Sequence, residues 1–437
     1  MRADATLSRA PAAPWLWDMT RYQWTVLAAA WLGWGFDVFD GLLFNFVAPV
    51  GLPSLLGVPR DDPRVGAAAG VVTAVLLVGW ATGGIAFGWV ADRIGRARTL
   101  LATMCTYAIA TAACAVAPDV WTLGALRFVA ALGIGGEWAA GASLVAEVVP
   151  AHRRVAAGAL LYTSSPLAVF LAAAVNDVVT SWAVGLGASS DVAWRLVFLA
   201  GLVPAALAVW IRRGIREPAV WETGRGAPPR LGELFAPSLR RATLGGFGLC
   251  LVTLVTWWGT NAFLPFVAAF LAGPGADAAT VAGTTTYATA AFNLGGLVGA
   301  VATIPLARLG RRPLFALYFA GAALSIAVTF ALAWDPTTRM RLLFLDGLTV
   351  FGVNASYCFY LPELFPTRLR ATGAGFCFNT GRYAAALGPF LVGHALGAAP
   401  TPMAAIRWVA VVPLLGLALV PFVVETAGRG RADPLAH

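Results

Sequence analysis

Charged side chains are scarce in this sequence of 437 residues. They make up 12% of it, whereas soluble globular domains carry roughly 25%, and the mean hydropathy is +0.76. So few charges cannot cover a water-exposed surface, and the sequence therefore indicates an integral membrane protein. Segments of about ten residues with alternating polarity, which are typical of transmembrane β-barrels, are missing as well. The membrane spans are therefore predicted to be helices.

Residue types that bind metals or act as nucleophiles are also few. The three histidines, His152, His394 and His437, have no nucleophile or metal-binding pattern beside them. The five cysteines fall singly inside apolar runs, where they are expected to be small core residues: Cys105, Cys114, Cys250, Cys358 and Cys377. The sequence predicts no metal site and no cofactor, and it disfavours an enzyme.

Long apolar runs, by contrast, fill most of the chain. A bilayer core of about 30 Å needs roughly 20 apolar residues per helix. Twelve runs meet this requirement, so the predicted fold class is an all-α membrane protein with twelve transmembrane helices. The predicted spans are 22–49, 65–90, 99–117, 120–148, 155–180, 194–211, 242–271, 278–306, 314–334, 340–362, 371–397 and 403–424.

The longest polar interval, 212–241, divides the spans into six and six. It is predicted to be a cytoplasmic loop between two six-helix bundles, 22–211 and 242–424. Residues 1–21 and 425–437 are predicted to be cytoplasmic, and 1–21 shows no cleavable signal.

All basic residues are arginines, and their placement sets the expected orientation. By this topology most of them lie in segments on one side of the membrane, which is the cytoplasmic side by the positive-inside rule. The net charge of +9 therefore reports orientation in a lipid bilayer rather than a nucleic-acid partner. The protein is expected in a bacterial inner membrane, with both termini in the cytoplasm.

Two loop motifs recur at nearly the same distance. The sequence RIGR that begins at Arg93 returns as RLGR at Arg308, 215 residues later. The sequence EVVP that begins at Glu147 returns as ELFP at Glu363, 216 residues later. An even number of spans in each copy makes the repeats parallel, and substrate sites in such folds lie near the midplane, between the halves.

Several ionisable residues lie deep inside predicted spans. A charge at the bilayer centre costs at least about 2.5–3.5 kcal/mol, so such groups face a cavity and pair with one another. Asp177 and Asp346 are placed nearer a membrane surface, where water would solvate them. The remaining five are expected to serve transport: Asp37, Asp40, Arg127, Glu137 and Arg382. Three of them, Asp37, Glu137 and Arg382, are expected to line one central cavity.

The buried acids are candidate proton carriers. Asp37 and Asp40 stand three residues apart, on one face of a helix. Their mutual repulsion favours protonation of one of them, which suits proton coupling with Asp37 as the main carrier. The alternative is that both pair permanently with arginines. Glu137 lies among small residues, where close helix packing would desolvate it, and it is a second candidate.

Arg382 is the candidate anion site. It lies eleven residues into its span, roughly 16 Å along the helix at 1.5 Å per residue. Its guanidinium stays charged and matches a carboxylate bidentately. Either a protein carboxylate is its lasting partner, or a substrate carboxylate takes that place. The other predicted substrate-binding residues are the amide one turn earlier and three side chains of the seventh span: Asn379, Trp257, Trp258 and Asn261.

The pattern Gly-x-x-x-Asp-Arg-x-Gly-Arg at 88–96 resembles the loop between the second and third helices of the major facilitator superfamily. A basic turn alone could follow from the positive-inside rule, but the aspartate and both glycines could not. In that family the aspartate caps the eleventh helix and a motif arginine pairs with an acid that ends the fourth. The resemblance implies a gate made of Asp92, Arg93, Gly95, Arg96, Glu147, Arg154, Glu363 and Arg370, and Arg127 matches an arginine of the family's fourth helix.

Three further stretches resemble the proton-coupled organic-anion branch of the family, which includes sialate, lactate and aromatic-acid symporters. They are WLGWGFDVFD at 31–40, GIGGE at 133–137 and PELFPTRLRATG at 362–373. The resemblance implies a monomer that imports a small organic anion, such as a monocarboxylate, by proton symport through alternating access. Aromatic-acid carriers typically have Asp-Gly-x-Asp in the first helix, so the sialate and lactate types fit slightly better.

Other functions fit the sequence less well. Transport of another small metabolite is one alternative. A proton-driven drug or metabolite exporter is another, but the Gly-Pro-x-x-Gly-Gly element of such exporters is replaced by SSPLAV at 164–169. A membrane sensor would need a signalling extension, and the tail after Glu425 is short.

Overall fold

The computed structural model describes residues 19–59, 62–203, 215–217, 221, 229–261, 264–273, 278–387 and 401–427, and these contain helices and no strands. The α-helices before the central loop are α1 (Arg21–Leu56), α2 (Pro63–Ile94), α3 (Arg96–Ala113), α4 (Val120–Val148), α5 (Arg154–Tyr162), α6 (Ser164–Gly185) and α7 (Ser190–Leu199). Those after it are α8 (Arg240–Asn261), α9 (Leu264–Ala272), α10 (Ala278–Leu306), α11 (Arg311–Ala331), α12 (Pro336–Leu364), α13 (Arg370–Ala385), α14 (Pro402–Ile406) and α15 (Val411–Leu419). We call the two groups the first and second halves.

Within the described ranges, ten helical segments are long and apolar enough to cross a membrane. They match ten of the twelve predicted spans. The other two predictions, 194–211 and 371–397, run into residues outside the described ranges, so the count of twelve stays a prediction. The loop 212–241 and the two terminal segments are also described only in part.

Aspartates set the starts of three long helices. Asp62, Asp119 and Asp335 accept hydrogen bonds from backbone N–H groups in the first turns of α2, α4 and α12, at 2.8, 2.8 and 3.0 Å. Such caps satisfy donors that a helix start leaves without partners. These three polar caps mark the helix starts at one end of the bundle.

The two recurring arginine motifs form equivalent turns at the other end, which we call the motif side. Gly95 links α2 to α3 with φ +114°, and Gly310 links α10 to α11 with φ +107°, a backbone region that favours glycine. Each following helix is capped by a distant glutamate. Glu217 accepts from the N–H of Ala97 and Arg98 at 3.2 and 3.0 Å, and Glu425 accepts from those of Arg311 and Arg312 at 2.9 to 3.1 Å.

The halves meet closely along α2 and α13. A Cβ atom at Gly375 would collide with the carbonyl oxygen of Gly84, so the two backbones touch there. Small residues allow this approach between membrane helices. The contact brings the motif turn after α2 to the start of α13.

Candidate functional site

A central cavity lies between the halves. Helices α1, α2, α5 and α6 of the first half form one wall, and α8, α12 and α13 of the second half form the other. Its volume is about 60 Å³, room for only a few water molecules, so side chains must move before an organic molecule fits. Aromatic side chains form the largest group of the wall, beside aliphatic and polar ones. The aromatic and polar lining residues are Trp34, Phe44, Asn45, Thr73, Trp80, Tyr162, Ser165, Trp257, Trp258, Asn354, Phe378 and Arg382.

Arg382 is the charged group of this cavity. It is 5% exposed, and its guanidinium stands 4.6 Å from the ring centre of Trp80 and 4.8 Å from that of Phe378. It donates to the side-chain oxygen of Asn379 and to the carbonyl of Phe378. Among the described residues no carboxylate pairs with it. A permanently charged group therefore faces the cavity without an anion.

Asp40 and Arg127 form a closed ion pair inside the first half. Arg127 Nη1 is 2.8 Å from Asp40 Oδ1, and its Nη2 donates to the carbonyl of Asp40 at 2.7 Å. The Thr111 hydroxyl donates to Asp40 Oδ2 at 2.6 Å. All three side chains are fully buried. Asp40 thus shows the permanent pairing that had been the alternative for both aspartates.

Asp37 and Glu137 have no cationic partner among the described residues. Neither oxygen of Asp37 has a hydrogen-bond partner in the part of the chain that the structure describes. Glu137 accepts one bond, from the Thr103 hydroxyl at 3.0 Å, and its other oxygen is unpartnered. The buried hydroxyl of Tyr107, which sequence reasoning missed, lies near both acids and is also unpartnered. This acid cluster is a place where a proton can be held.

The expectation that Asp37 and Glu137 line the cavity was wrong, because only Arg382 of the three does so. Glu137 points towards α1 and α3 instead. Gly33 makes room for it, since a Cβ there would collide with the Glu137 carboxylate. The acid cluster therefore lies behind the cavity wall, and the charge of Arg382 acts on Asp37 without direct contact.

Two of the three predicted residues of the seventh span belong to the cavity wall. Trp257 and Trp258 line it, with ring centres 4.9 Å apart and planes at 84°. Asn261 ends α8 and is not among the lining side chains. The lining also includes Trp34, Trp80 and Tyr162, which had not been assigned to the site. The indole N–H groups of Trp34, Trp80 and Trp257 are buried without acceptors.

On the motif side, Asp92 joins the halves. It accepts hydrogen bonds from the backbone N–H of Ala371 at 3.2 Å and of Thr372 at 2.7 Å, and from the Thr372 hydroxyl at 2.6 Å. Its other close partner is Arg96, at 2.7 Å. The carboxylate thus caps the start of α13 from the opposite half.

Glu147 extends this connection. One of its oxygens is 3.0 Å from Arg96 in its own half and 3.0 Å from Arg370 in the other. Arg96 also donates to the carbonyl of Thr367 across the interface, at 2.6 Å. The side chains of Asp92, Arg96 and Glu147 are fully buried, so the network ties the two halves together at the motif side.

The remaining predicted gate residues are placed differently. Arg93 is exposed and stacks on Trp89 at 4.0 Å, so Arg96 is the motif arginine that reaches Glu147. Arg154 is half-buried near Glu147 and Glu363 but forms no ion pair with them. Glu363 pairs with Arg311 at 2.9 Å within the second half.

Another ion pair on the motif side was not predicted. Glu233, in the 3₁₀ turn at Leu231–Phe235, pairs with Arg368. This hydrogen-bonded guanidinium holds the pKa of Glu233 below its ordinary value. Glu217 and Glu425 share one role, but they stand 208 residues apart rather than 215 or 216, so the repeat offset marks neither this pair nor Glu233.

Comparisons with known proteins agree with this architecture. The Major Facilitator Superfamily model matches residues 19–389. A protein of Cupriavidus pinatubonensis named "Probable 4-methylmuconolactone transporter" is 31% identical over 81% of this chain and 79% of its own. A gentisate transporter of Corynebacterium glutamicum is 26% identical over 84% of this chain and 80% of its own.

The fold also matches a solved structure. The proton:xylose symporter XylE bound to 6-bromo-6-deoxy-D-glucose superimposes with a TM-score of 0.75, covering 93% of this chain and 96% of that one, at 18% identity. A sequence identity this low supports a shared fold and no shared function. Because the family model spans most of the chain, the protein belongs to the Major Facilitator Superfamily and is a membrane transporter, not an enzyme.

Proposed function

We propose that this transporter imports a small planar organic acid together with a proton, by alternating access. The observation that carries the proposal is Arg382, a buried guanidinium in an aromatic cavity with no carboxylate beside it. A buried charge needs a counter-ion, and a guanidinium binds carboxylates bidentately. The substrate carboxylate is the anion that completes the site.

The cavity wall favours a flat acid over a sugar acid. Indole and phenyl faces stack on planar conjugated groups, and they are provided by both halves. Three unpartnered indole N–H groups can donate to further oxygens on the substrate. The names of the two relatives, for gentisate and a methylmuconolactone, support an aromatic or unsaturated acid. This revises the preference for sialate or lactate types drawn from the first helix.

The charge balance of the buried groups supports coupling of substrate binding to a proton. With Asp40 neutralised by Arg127, the groups left near the site are Asp37, Glu137 and Arg382. If both acids are ionised their sum is −1, and a bound carboxylate makes it −2. Protonation of Asp37 or Glu137 removes the excess, so proton and substrate each favour binding of the other. Such coupling is reciprocal and is typically worth about 1–3 kcal/mol.

The network around Asp92, Arg96 and Glu147 serves as the gate in this proposal. If the motif side is cytoplasmic, as the arginine distribution suggests, these contacts close the cytoplasmic side in the outward-facing state. They must break when the transporter opens inwards. The protein would act as a monomer in the inner membrane, with both termini in the cytoplasm.

Replacing Asp92 with asparagine should shift the equilibrium towards the inward-open state by about 5- to 30-fold. The change removes a buried charge at a helix N-terminus, worth about 1–2 kcal/mol in such a setting. Spin labels at two exposed turn positions, Ile94 and Leu309, should report a longer distance.

Asp119→Asn is the matched control, because Asp119 caps a helix within one half. It should leave the label distance unchanged. If Asp92→Asn also leaves that distance unchanged, Asp92 is not part of a gate.

Uptake into proteoliposomes tests the function itself. Radiolabelled gentisate should accumulate when the outside is made acidic, and a protonophore should abolish the accumulation. Xylose, the substrate of the structural neighbour, serves as the negative control. Accumulation driven by an acidic interior would instead indicate an exporter, and no gentisate transport under either gradient would remove the proposed substrate class.

A further inference from the structure

Asp346 is a buried carboxylate that the proposed mechanism does not use. It lies in α12, is 0% exposed, and does not line the central cavity. The expectation that water near a membrane surface solvates it was therefore wrong. Close packing explains the burial, because the next residue, Gly347, rests against the backbone of Phe292 in α10.

The surroundings of Asp346 are polar but contain no counter-charge. The hydroxyls of Ser325 and Thr329 in α11 are directed at its carboxylate, but no donor among the described residues reaches ordinary hydrogen-bond geometry with either oxygen. The hydroxyl of Thr329 is 1% exposed, and it too lacks a hydrogen bond of ordinary geometry within the described ranges. Ser325 lies 3.2 Å from the Thr349 hydroxyl. Side-chain oxygen atoms of α11 and α12 thus surround the Asp346 carboxylate.

Charged groups on the packed helices are directed elsewhere. Arg339, on α12 itself, donates to the carbonyls of Thr329 at 2.6 Å and Leu332 at 3.0 Å. The arginines of α11, Arg311 and Arg312, lie at its motif-side end and bind Glu363, Glu425 and the carbonyl of Val423. On α10 the titratable side chain is Tyr287, which lines a separate outer crevice. No described cation pairs with Asp346.

The first half shows how a fixed cation would complete such a site. There, Asp40 has both a helix-α3 hydroxyl, Thr111, and the guanidinium of Arg127. The 216-residue offset places Leu343 at the position of Arg127. Leu343 stands three residues before Asp346, on the same helix face. By the same offset Asp40 corresponds to Thr256, so Asp346 is an acid on a different helix of its repeat, beside an apolar side chain at the position of the arginine.

We propose that Asp346, Ser325 and Thr329 form a second cation site, separate from the substrate cavity, that takes an exchangeable proton or Na⁺. An ionised carboxylate enclosed by helices requires a neutralising partner, and oxygen ligands suit hard cations. The same helix carries Asn354 at the cavity, two turns further on, and Glu363 at the motif side. A cation here can therefore bias the position of α12.

The test uses purified full-length protein with Asp37→Asn and Glu137→Gln, in which protonation of the acid cluster no longer contributes. Thermal unfolding is followed against Na⁺ concentration at fixed pH, with choline as the replacement ion, and against pH without Na⁺. A Na⁺ site should raise Tm by at least about 2 °C at saturating Na⁺. A proton site should instead show a Na⁺-independent rise of Tm on acidification, with a carboxylic C=O infrared band that disappears as pH rises.

Each dependence should vanish when Asp346→Asn is added, and Asp177→Asn, at an exposed acid in α6, should preserve it. Leu343→Arg is the complementary variant: a fixed cation at this position should abolish the dependence without removing Asp346. If Tm follows neither cation, or if Asp346→Asn leaves the dependence intact, the proposal is overturned. These outcomes do not depend on substrate, so they are independent of the gentisate experiment.

Discussion

Replacing Arg382 with alanine should weaken binding of the organic acid by at least about 30-fold. Removing one partner of a buried, hydrogen-bonded charge pair costs about 2–5 kcal/mol, and every 1.4 kcal/mol is about tenfold in affinity. The aromatic wall stays in place, so the remaining binding should be that of a stacked ring without an anion partner. Titration calorimetry with gentisate measures the loss.

Two variants sharpen this result. Arg382→Lys keeps the charge but loses the bidentate geometry, so its affinity should lie between those of the wild type and the alanine variant. Arg407→Ala removes an exposed arginine that stacks on Trp408 and should bind normally. Normal gentisate affinity in Arg382→Ala would place the anion site elsewhere.

Replacing Asp37 with asparagine should abolish proton-driven accumulation while preserving exchange of labelled for unlabelled substrate. An amide cannot take up a proton, yet it is uncharged, as the protonated acid is. The affinity should also lose its pH dependence, which in the wild type is expected to span about 5- to 150-fold between high and low pH. The substrate should bind more tightly at low pH, because the proton offsets the negative charge of the substrate.

Asp40→Asn is the matched comparison, because this acid lies one helical turn away. The Asp40→Asn variant should be impaired in a different way, because the substitution leaves Arg127 buried without its counter-ion. Breaking a buried ion pair costs about 3–5 kcal/mol of stability, so a lower Tm is expected rather than loss of coupling alone. If Asp37→Asn still accumulated substrate uphill, the proton would have to be carried by Glu137 or another group.

The sequence predicted the positions of those residue types that have few stable environments in a membrane. An arginine in mid-span, such as Arg382, has to face a cavity or an ion, and the structure places it in the cavity wall. The loop motif likewise identified Asp92, because in the family that the motif resembles this aspartate caps the eleventh helix. The paired glycine turns at Gly95 and Gly310 followed from the internal repeat.

Partners from distant helices were harder to predict. Asp37 and Asp40 share a helix face, yet Arg127 reaches only one of them, and that choice depends on helix rotation. Glu137 turned away from the cavity because Gly33 leaves space behind it. Asp346 looked solvated because its depth was judged from the end of the span, whereas packing against α10 and α11 excludes water. None of these contacts is encoded in local spacing.

The central claim is that substrate and proton bind together. Calorimetric titration of the wild-type protein with gentisate, in two buffers of different ionisation enthalpy, measures the protons taken up on binding. At a pH above the midpoint of the affinity change, the account predicts uptake of about one proton per substrate, and none in Asp37→Asn. Binding of gentisate with no proton uptake by the wild type at any pH would contradict it.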